Sequence, residues 1–84
     1  MRALRRDVNE PALVSAAREM GALWEYGPPL DGWVGWRGRW YPVEIKQGKN
    51  PYTDAQVDFL TRCGFKNLPA FTWRTVDDLL RDLS

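Results

Sequence analysis

Residues 30–46 read LDGWVGWRGRWYPVEIK and form the most informative stretch of the chain. Two runs rich in Trp, Val, Tyr and Ile, residue types that favour β-strands, flank the dipeptide Arg37-Gly38. A glycine at the second loop position suits a tight two-residue hairpin turn. The stretch therefore predicts a β-hairpin with strands over 30–36 and 39–47.

The position of this turn also predicts which residues face each other. A turn centred between Arg37 and Gly38 places Trp36 opposite Arg39, and further pairs follow one step at a time along both strands. One face of the hairpin is then largely apolar and is expected to face the core. Its members are Leu30, Gly32, Val34, Trp36, Arg39, Tyr41, Val43 and Ile45. Pro42 lies on the other face, and because it has no N–H, the second strand should lack a partner on one side there.

The other face of the predicted hairpin places two carboxylates against each other. Asp31 and Glu44 are expected to form a non-hydrogen-bonded pair with Cα atoms about 4.5 Å apart, and Lys46 points the same way. Like charges so placed are destabilising unless a shared proton, a nearby cation or a divalent metal compensates. Two carboxylates with a backbone carbonyl such as that of Ile45 suit Mg²⁺ or Mn²⁺, and a lysine beside the metal can orient the attacking water. The alternative is an exposed pair on a half-solvated sheet, with Lys46 simply pairing with Glu44.

The segments on either side of the hairpin predict three helices and two further strands. These elements are a helix over 9–21, a strand over 23–26, a helix from Thr53 to about Cys63 that Gly64 ends, a strand over 69–73, and a last helix capped by Thr75. The apolar residues expected to face inward on the last two helices are Val57, Leu60, Cys63, Val76, Leu79, Leu80 and Leu83. The order α-β-β-β-α-β-α predicts an α/β domain whose mixed central sheet is flanked by helices.

Composition limits the chemistry that the chain can perform. Its 84 residues are expected to form one domain over 1–84. The absence of histidine and the single cysteine, Cys63, exclude a disulfide framework, Cys-cluster zinc sites and imidazole catalysis. The net charge of +1 is no argument for nucleic acid by itself. Because no apolar run approaches a membrane span and no signal peptide is evident, an intracellular, cytoplasmic location is expected.

Several short motifs, taken in order, resemble those of the PD-(D/E)xK nucleases. Among these enzymes, the chain looks most like the small stand-alone VRR-NUC-type nucleases of phages and bacteria. The matching motifs are Asp7-Val8-Asn9-Glu10, Pro29-Leu30-Asp31, Gly35-Trp36-Arg37-Gly38-Arg39, Glu44-Ile45-Lys46 and Thr53-Asp54-Ala55-Gln56. This chain departs from the family at Leu30, which separates a proline and an aspartate that are usually adjacent.

The resemblance implies a restriction-endonuclease-like fold and hydrolysis of DNA phosphodiester bonds with Mg²⁺ or Mn²⁺ as cofactor. The catalytic residues it implies are Asp31, Glu44, Lys46 and Gln56, and the metal ligands are Asp31, Glu44, the Ile45 carbonyl and Glu10. It also implies a homodimer that favours branched DNA, such as a Holliday junction, in a bacterial or phage-infected cell. A membrane and a nucleotide cofactor are not expected.

Several of these residues have a simpler alternative role. Glu10 would complement the positive end of a helix, and Gln56, three residues after Thr53, would complete a capping box. The predicted DNA contacts, each with a solvated surface charge as its alternative, are Arg5, Arg6, Arg37, Arg39 and Lys49. Two other classes of protein stay open: a DNA-binding module on the same fold without turnover, and an interaction protein in which the hairpin charges are incidental.

Overall fold

In a computed structural model of the protein, the structure describes residues 10–84. Within this range, three helices and four strands follow the predicted order. They are α1 (Glu10–Glu19), β1 (Leu23–Tyr26), β2 (Gly32–Trp36), β3 (Arg39–Ile45), α2 (Asp54–Phe65), β4 (Phe71–Trp73) and α3 (Val76–Asp82). None of these helices is long and apolar enough to cross a membrane.

The four strands form one mixed sheet in the order β1-β2-β3-β4. β1, β2 and β3 are antiparallel neighbours, whereas β4 is parallel to β3. The pairing of β3 with β4 begins at Val43, opposite Phe71, so Pro42 has no β4 partner, as its missing N–H requires. A small α/β domain with a mixed sheet is therefore confirmed.

The hairpin has the predicted turn and the predicted register. Arg37 and Gly38 both have positive φ, 51° and 85°, as expected for the turn type whose twist matches that of the flanking strands. The pairs run from Trp36 opposite Arg39 to Gly32 opposite Val43. The strands are shorter than predicted, because β2 begins only at Gly32 and β3 ends at Ile45. Leu30 and Asp31 therefore precede the sheet.

The sheet is covered on both faces. α1 and α3 pack on the predicted apolar face of the hairpin, where Val34 and Val43 are fully buried. Aromatic rings extend this core along the sheet, with Trp24 beside Trp73 and Phe71 stacked on Tyr41. α2 lies on the other face, since its Gln56 side chain contacts Glu44 of β3.

The second and third helices differ from the prediction in two respects. α2 continues through Gly64 and ends near Lys66, because Asn67 adopts the positive φ that closes the helix and Leu68 N–H bonds back to the Cys63 carbonyl. Fewer apolar residues of these helices face inward than predicted. Cys63, Leu79 and Leu83 are buried, but Val57, Val76 and Leu80 are exposed.

Gly32 is predicted to be the glycine least tolerant of substitution. A Cβ at this position would collide with the Trp24 side chain and come within 2.7 Å of the Glu25 carbonyl oxygen. We expect Gly32→Ala to lower the free energy of unfolding by about 1–3 kcal/mol, the usual effect of overpacking. Urea unfolding checks this, with Gly64→Ala as control, since a Cβ there meets open space and alanine favours a helix. Equal stabilities for the two variants would contradict the prediction.

Candidate active site

Asp31 lies at the end of β3 although it precedes β2. Its Oδ2 accepts a hydrogen bond of 2.7 Å from the Ile45 N–H. Continuing the register of β2 and β3 by one pair places Asp31 opposite Glu44, as the sequence predicted. The hydrogen bond therefore fixes one carboxylate beside the other where the two strands end.

Glu44 is buried, and one of its two oxygens has two partners. Its side chain is 4% exposed. Oε2 accepts a hydrogen bond of 2.7 Å from Gln56 Nε2 and lies 3.3 Å from Lys46 Nζ. Lys46 is itself 8% exposed, so its ion pair with Glu44 is largely shielded from water. The exposed pair considered as an alternative for these residues does not occur.

The other oxygen, Glu44 Oε1, is buried and has no hydrogen-bond partner among residues 10–84. Burial and the nearby charge of Asp31 raise the Glu44 pKa to about 7, although Lys46 opposes the shift. A buried carboxylate oxygen without a partner is costly unless a proton or a cation binds it. The site therefore has a position at which positive charge is favoured.

Gln56 forms the predicted capping box and also contacts the site. Its Oε1 accepts from the Thr53 N–H, and its N–H donates to Thr53 Oγ1, which together form the predicted capping box. Its Nε2 is directed to Glu44. The cap that starts α2 thus also holds the amide in the orientation that contacts the carboxylate.

The donors at this site suit a hard divalent cation. The N–H and C=O of one strand residue point to the same edge of the strand, so the Ile45 carbonyl faces the side on which Asp31 accepts the Ile45 N–H. Two carboxylates and a carbonyl are oxygen ligands of the type that Mg²⁺ and Mn²⁺ prefer. Within residues 10–84, no group of three or more His, Cys, Asp or Glu side chains could hold a metal ion. A cation held by Asp31 and Glu44 would therefore need further ligands, such as the Ile45 carbonyl or water.

The raised pKa of Glu44 predicts an unusual pH dependence of stability. The folded protein retains a proton that the unfolded chain releases near pH 4.5, so the free energy of unfolding should fall as pH rises from about 4.5 to about 7. At about 1.4 kcal/mol per pKa unit, the fall approaches 3 kcal/mol. Urea unfolding between pH 5 and pH 8 in EDTA measures it, with Glu44→Gln as the control that removes the proton. Stability that rises over this interval in the wild type would contradict the prediction.

Tyr52 and Arg74 join the site from outside the hairpin. The Lys46 N–H donates to the Trp73 carbonyl, which places the end of β4 beside Lys46. Arg74 follows directly, and its guanidinium lies 6.0 Å from the centre of the Tyr52 ring, while Lys46 Nζ lies 5.7 Å from the same centre. No motif in the sequence predicts a role for Arg74. Its only signal was its position directly after a short aromatic strand.

Four of the other predicted residues lie within residues 10–84. Arg37 and Arg39 are exposed at the opposite end of the hairpin, where Arg37 Nη1 donates to the Ser84 carbonyl oxygen over 3.4 Å. Lys49 is exposed in the loop after β3, and Glu10 is buried at the start of α1. Arg5 and Arg6 lie outside the described residues. The roles predicted for these six residues stay predictions.

Comparison of the chain with family models, with curated proteins and with solved structures finds no match. The resemblance to the PD-(D/E)xK nucleases therefore depends on the motifs quoted above.

Proposed function

We propose that this chain is a divalent-metal-dependent endonuclease that hydrolyses DNA phosphodiester bonds. The observation that supports this most directly is Glu44 Oε1, a buried carboxylate oxygen next to Asp31 that has no hydrogen-bond partner among residues 10–84. A merely structural ion pair between Glu44 and Lys46 would not require a second, half-buried carboxylate beside the first. The order of elements and the motifs around the site make a restriction-endonuclease-like, VRR-NUC-type domain the proposed family.

The chain's own residues divide the work in this proposal. Asp31, Glu44 and the Ile45 carbonyl would hold Mg²⁺ or Mn²⁺, with Glu10 as an additional ligand. The bound ion would lower the pKa of a water molecule and neutralise charge on the phosphate. Lys46, held near Glu44, would orient the attacking water and stabilise negative charge on the phosphate oxygens. Gln56 keeps the Glu44 carboxylate in place.

The proposed substrate is branched DNA, cut by a homodimer in a bacterial or phage-infected cell. The chain has a net charge of only +1, which favours selection by DNA shape over tight binding to any duplex. Large apolar side chains are exposed within residues 10–84, among them Phe65 at 82% and Leu23 at 63%. Such residues favour contact with a second copy. Arg37, Arg39 and Lys49 are the proposed backbone contacts, together with Arg5 and Arg6.

A cleavage assay tests the proposal. A labelled four-way junction and a linear duplex of the same sequence are each incubated with the protein in Mg²⁺, in Mn²⁺ and in EDTA. We expect cleavage in either metal, none in EDTA, and faster cleavage of the junction. Cleavage of both substrates at equal rates would remove the junction preference alone. Binding of the junction without cleavage in either metal would replace the nuclease by a non-catalytic DNA-binding module.

A further inference from the structure

A half-exposed tryptophan lies on the same face of the sheet as the two carboxylates. Trp40 is paired with Gly35 across β2 and β3, and 51% of it is exposed. A Cβ at Gly35 would lie 3.2 Å from two atoms of the Trp40 ring, so the absence of a side chain lets the indole extend over the neighbouring strand. The result is an aromatic ring supported by the sheet and open to solvent.

This tryptophan borders a groove of about 490 Å³ between the sheet and α2. Nine of the residues that the structure describes line the groove, and they are mostly aromatic or apolar. They include Trp33, Trp40 and Pro42 on the sheet and Phe59, Cys63 and Leu68 on or after α2. Arg39 is the only charged residue among them. The groove thus offers flat apolar surfaces with one cation at its border.

The groove leads toward the carboxylates. Trp33 and Pro42 form the pair next to Asp31 and Glu44, and Trp40 lies one further step along the same face. At about 3.4 Å per residue, these steps place the start of the groove about 7 Å and Trp40 about 14 Å from the carboxylates along the strand. A strand of DNA with a phosphate at the carboxylates can therefore reach the groove with a nearby base.

We propose that this groove binds an unpaired nucleobase of the DNA strand that is cut. The inference deepens the proposed function and rests on it, because it names the feature of branched DNA that the protein selects. Bases in a duplex have both faces covered by their neighbours, whereas an unpaired base can stack on an indole such as Trp40.

The size of the groove argues against a second copy of this chain as its occupant. A stable protein interface buries about 800 Å² on each partner and involves about 20–30 residues a side. The nine lining residues fall well short of that number, while the volume is within the range of small-molecule sites. A dimer would therefore be expected to use surface beyond the groove.

The test measures DNA binding by fluorescence anisotropy in EDTA, where hydrolysis is not required. The labelled probes are a blunt duplex, the same duplex with a single-stranded tail, and tailed duplexes with one abasic position each. The wild type should bind the tailed duplex about tenfold more tightly than the blunt one, as expected for one stacked base. Trp40→Ala should lose this preference, and Trp40→Phe should keep most of it. One abasic position should reproduce the loss in the wild type and cause no further loss in Trp40→Ala.

Leu80→Ala is the matched control, because Leu80 is 45% exposed on α3, which covers the other face of the sheet. It should leave the preference unchanged. Equal affinity of the wild type for tailed and blunt duplexes would overturn the inference. A change from dimer to monomer in Trp40→Ala, seen by analytical ultracentrifugation, would also overturn it and assign the groove to a second copy. Tighter binding of the tailed duplex without cleavage in Mg²⁺ would refute the nuclease but support the base-binding groove. Cleavage without tighter binding of the tailed duplex would support the nuclease but refute the base-binding groove.

Discussion

Replacing Lys46 with alanine is expected to slow metal-dependent DNA cleavage by about a thousandfold. A positioned group that moves or orients a proton in the reaction contributes about 10²–10⁴-fold to the rate, and Lys46 is the cation held in the site by Glu44. The ammonium group lies 3.3 Å from Glu44 Oε2 and the Lys46 side chain is only 10% exposed, so water cannot fully replace its charge. Single-turnover cleavage of the junction in Mg²⁺, with protein in excess, measures the chemical step separately from binding.

Two comparisons make this result specific to the site. Lys66→Ala removes the same charge from the exposed C-terminal cap of α2 and should leave the rate within about twofold of the wild type. Junction affinity in EDTA should be similar for Lys46→Ala and the wild type, because a buried lysine contributes little to contacts with distant phosphates. Cleavage by Lys46→Ala at a rate close to that of the wild type would remove Lys46 from the mechanism.

The hairpin could be predicted from the sequence because its signals are local. Arg37-Gly38 defines the turn, and the alternation of apolar and polar residues then determines the register, since a slip of one residue would expose the core face. The juxtaposition of Asp31 and Glu44 follows directly from that register. Pro42 added an independent constraint, which the start of the β3–β4 pairing satisfies.

Contacts between distant segments could not be predicted in the same way. The parallel pairing of β4 with β3 brings Arg74 and Tyr52 to the site. No short-range pattern in the sequence predicts which strands are neighbours in a parallel pair. The exposure of Val57 depends on how α2 lies over the sheet, and periodicity alone assigned it to the interior. The capping box of Gln56 is local and could be predicted. The hydrogen bond from Gln56 Nε2 to Glu44 depends on the tertiary position of α2 and could not.

The second large effect is expected at Glu44, where glutamine should stabilise the protein while abolishing cleavage. The glutamine oxygen can accept from Gln56 and Lys46 as Glu44 Oε2 does. Its amide nitrogen can occupy the position of Oε1, which has no hydrogen-bond partner among residues 10–84, and donate toward Asp31. One substitution thus removes a charge repulsion and an unpartnered acceptor at once.

At pH 8 in EDTA, we expect Glu44→Gln to raise the free energy of unfolding by about 1–3 kcal/mol, because the wild type must then bury an ionised carboxylate near Asp31. Mg²⁺ should raise the melting temperature of the wild type, since an ion that binds only the folded state stabilises it, and should leave the variant unchanged. Asp78→Asn is the contrasting control. Hydrogen bonds from the Arg74 and Thr75 N–H groups lower the Asp78 pKa, so losing that charge should destabilise the protein.

The directions in which Glu44→Gln changes stability and cleavage distinguish a catalytic role of Glu44 from a structural one. If Glu44 only held Lys46 in place, its replacement would leave a buried ammonium without its counter-charge, and stability would fall as it does for Asp78→Asn. If Glu44 is kept charged for a cation, its loss should improve folding and remove both the response to Mg²⁺ and the cleavage of DNA. A destabilised Glu44→Gln protein that still responds to Mg²⁺ would exclude Glu44 as a metal ligand.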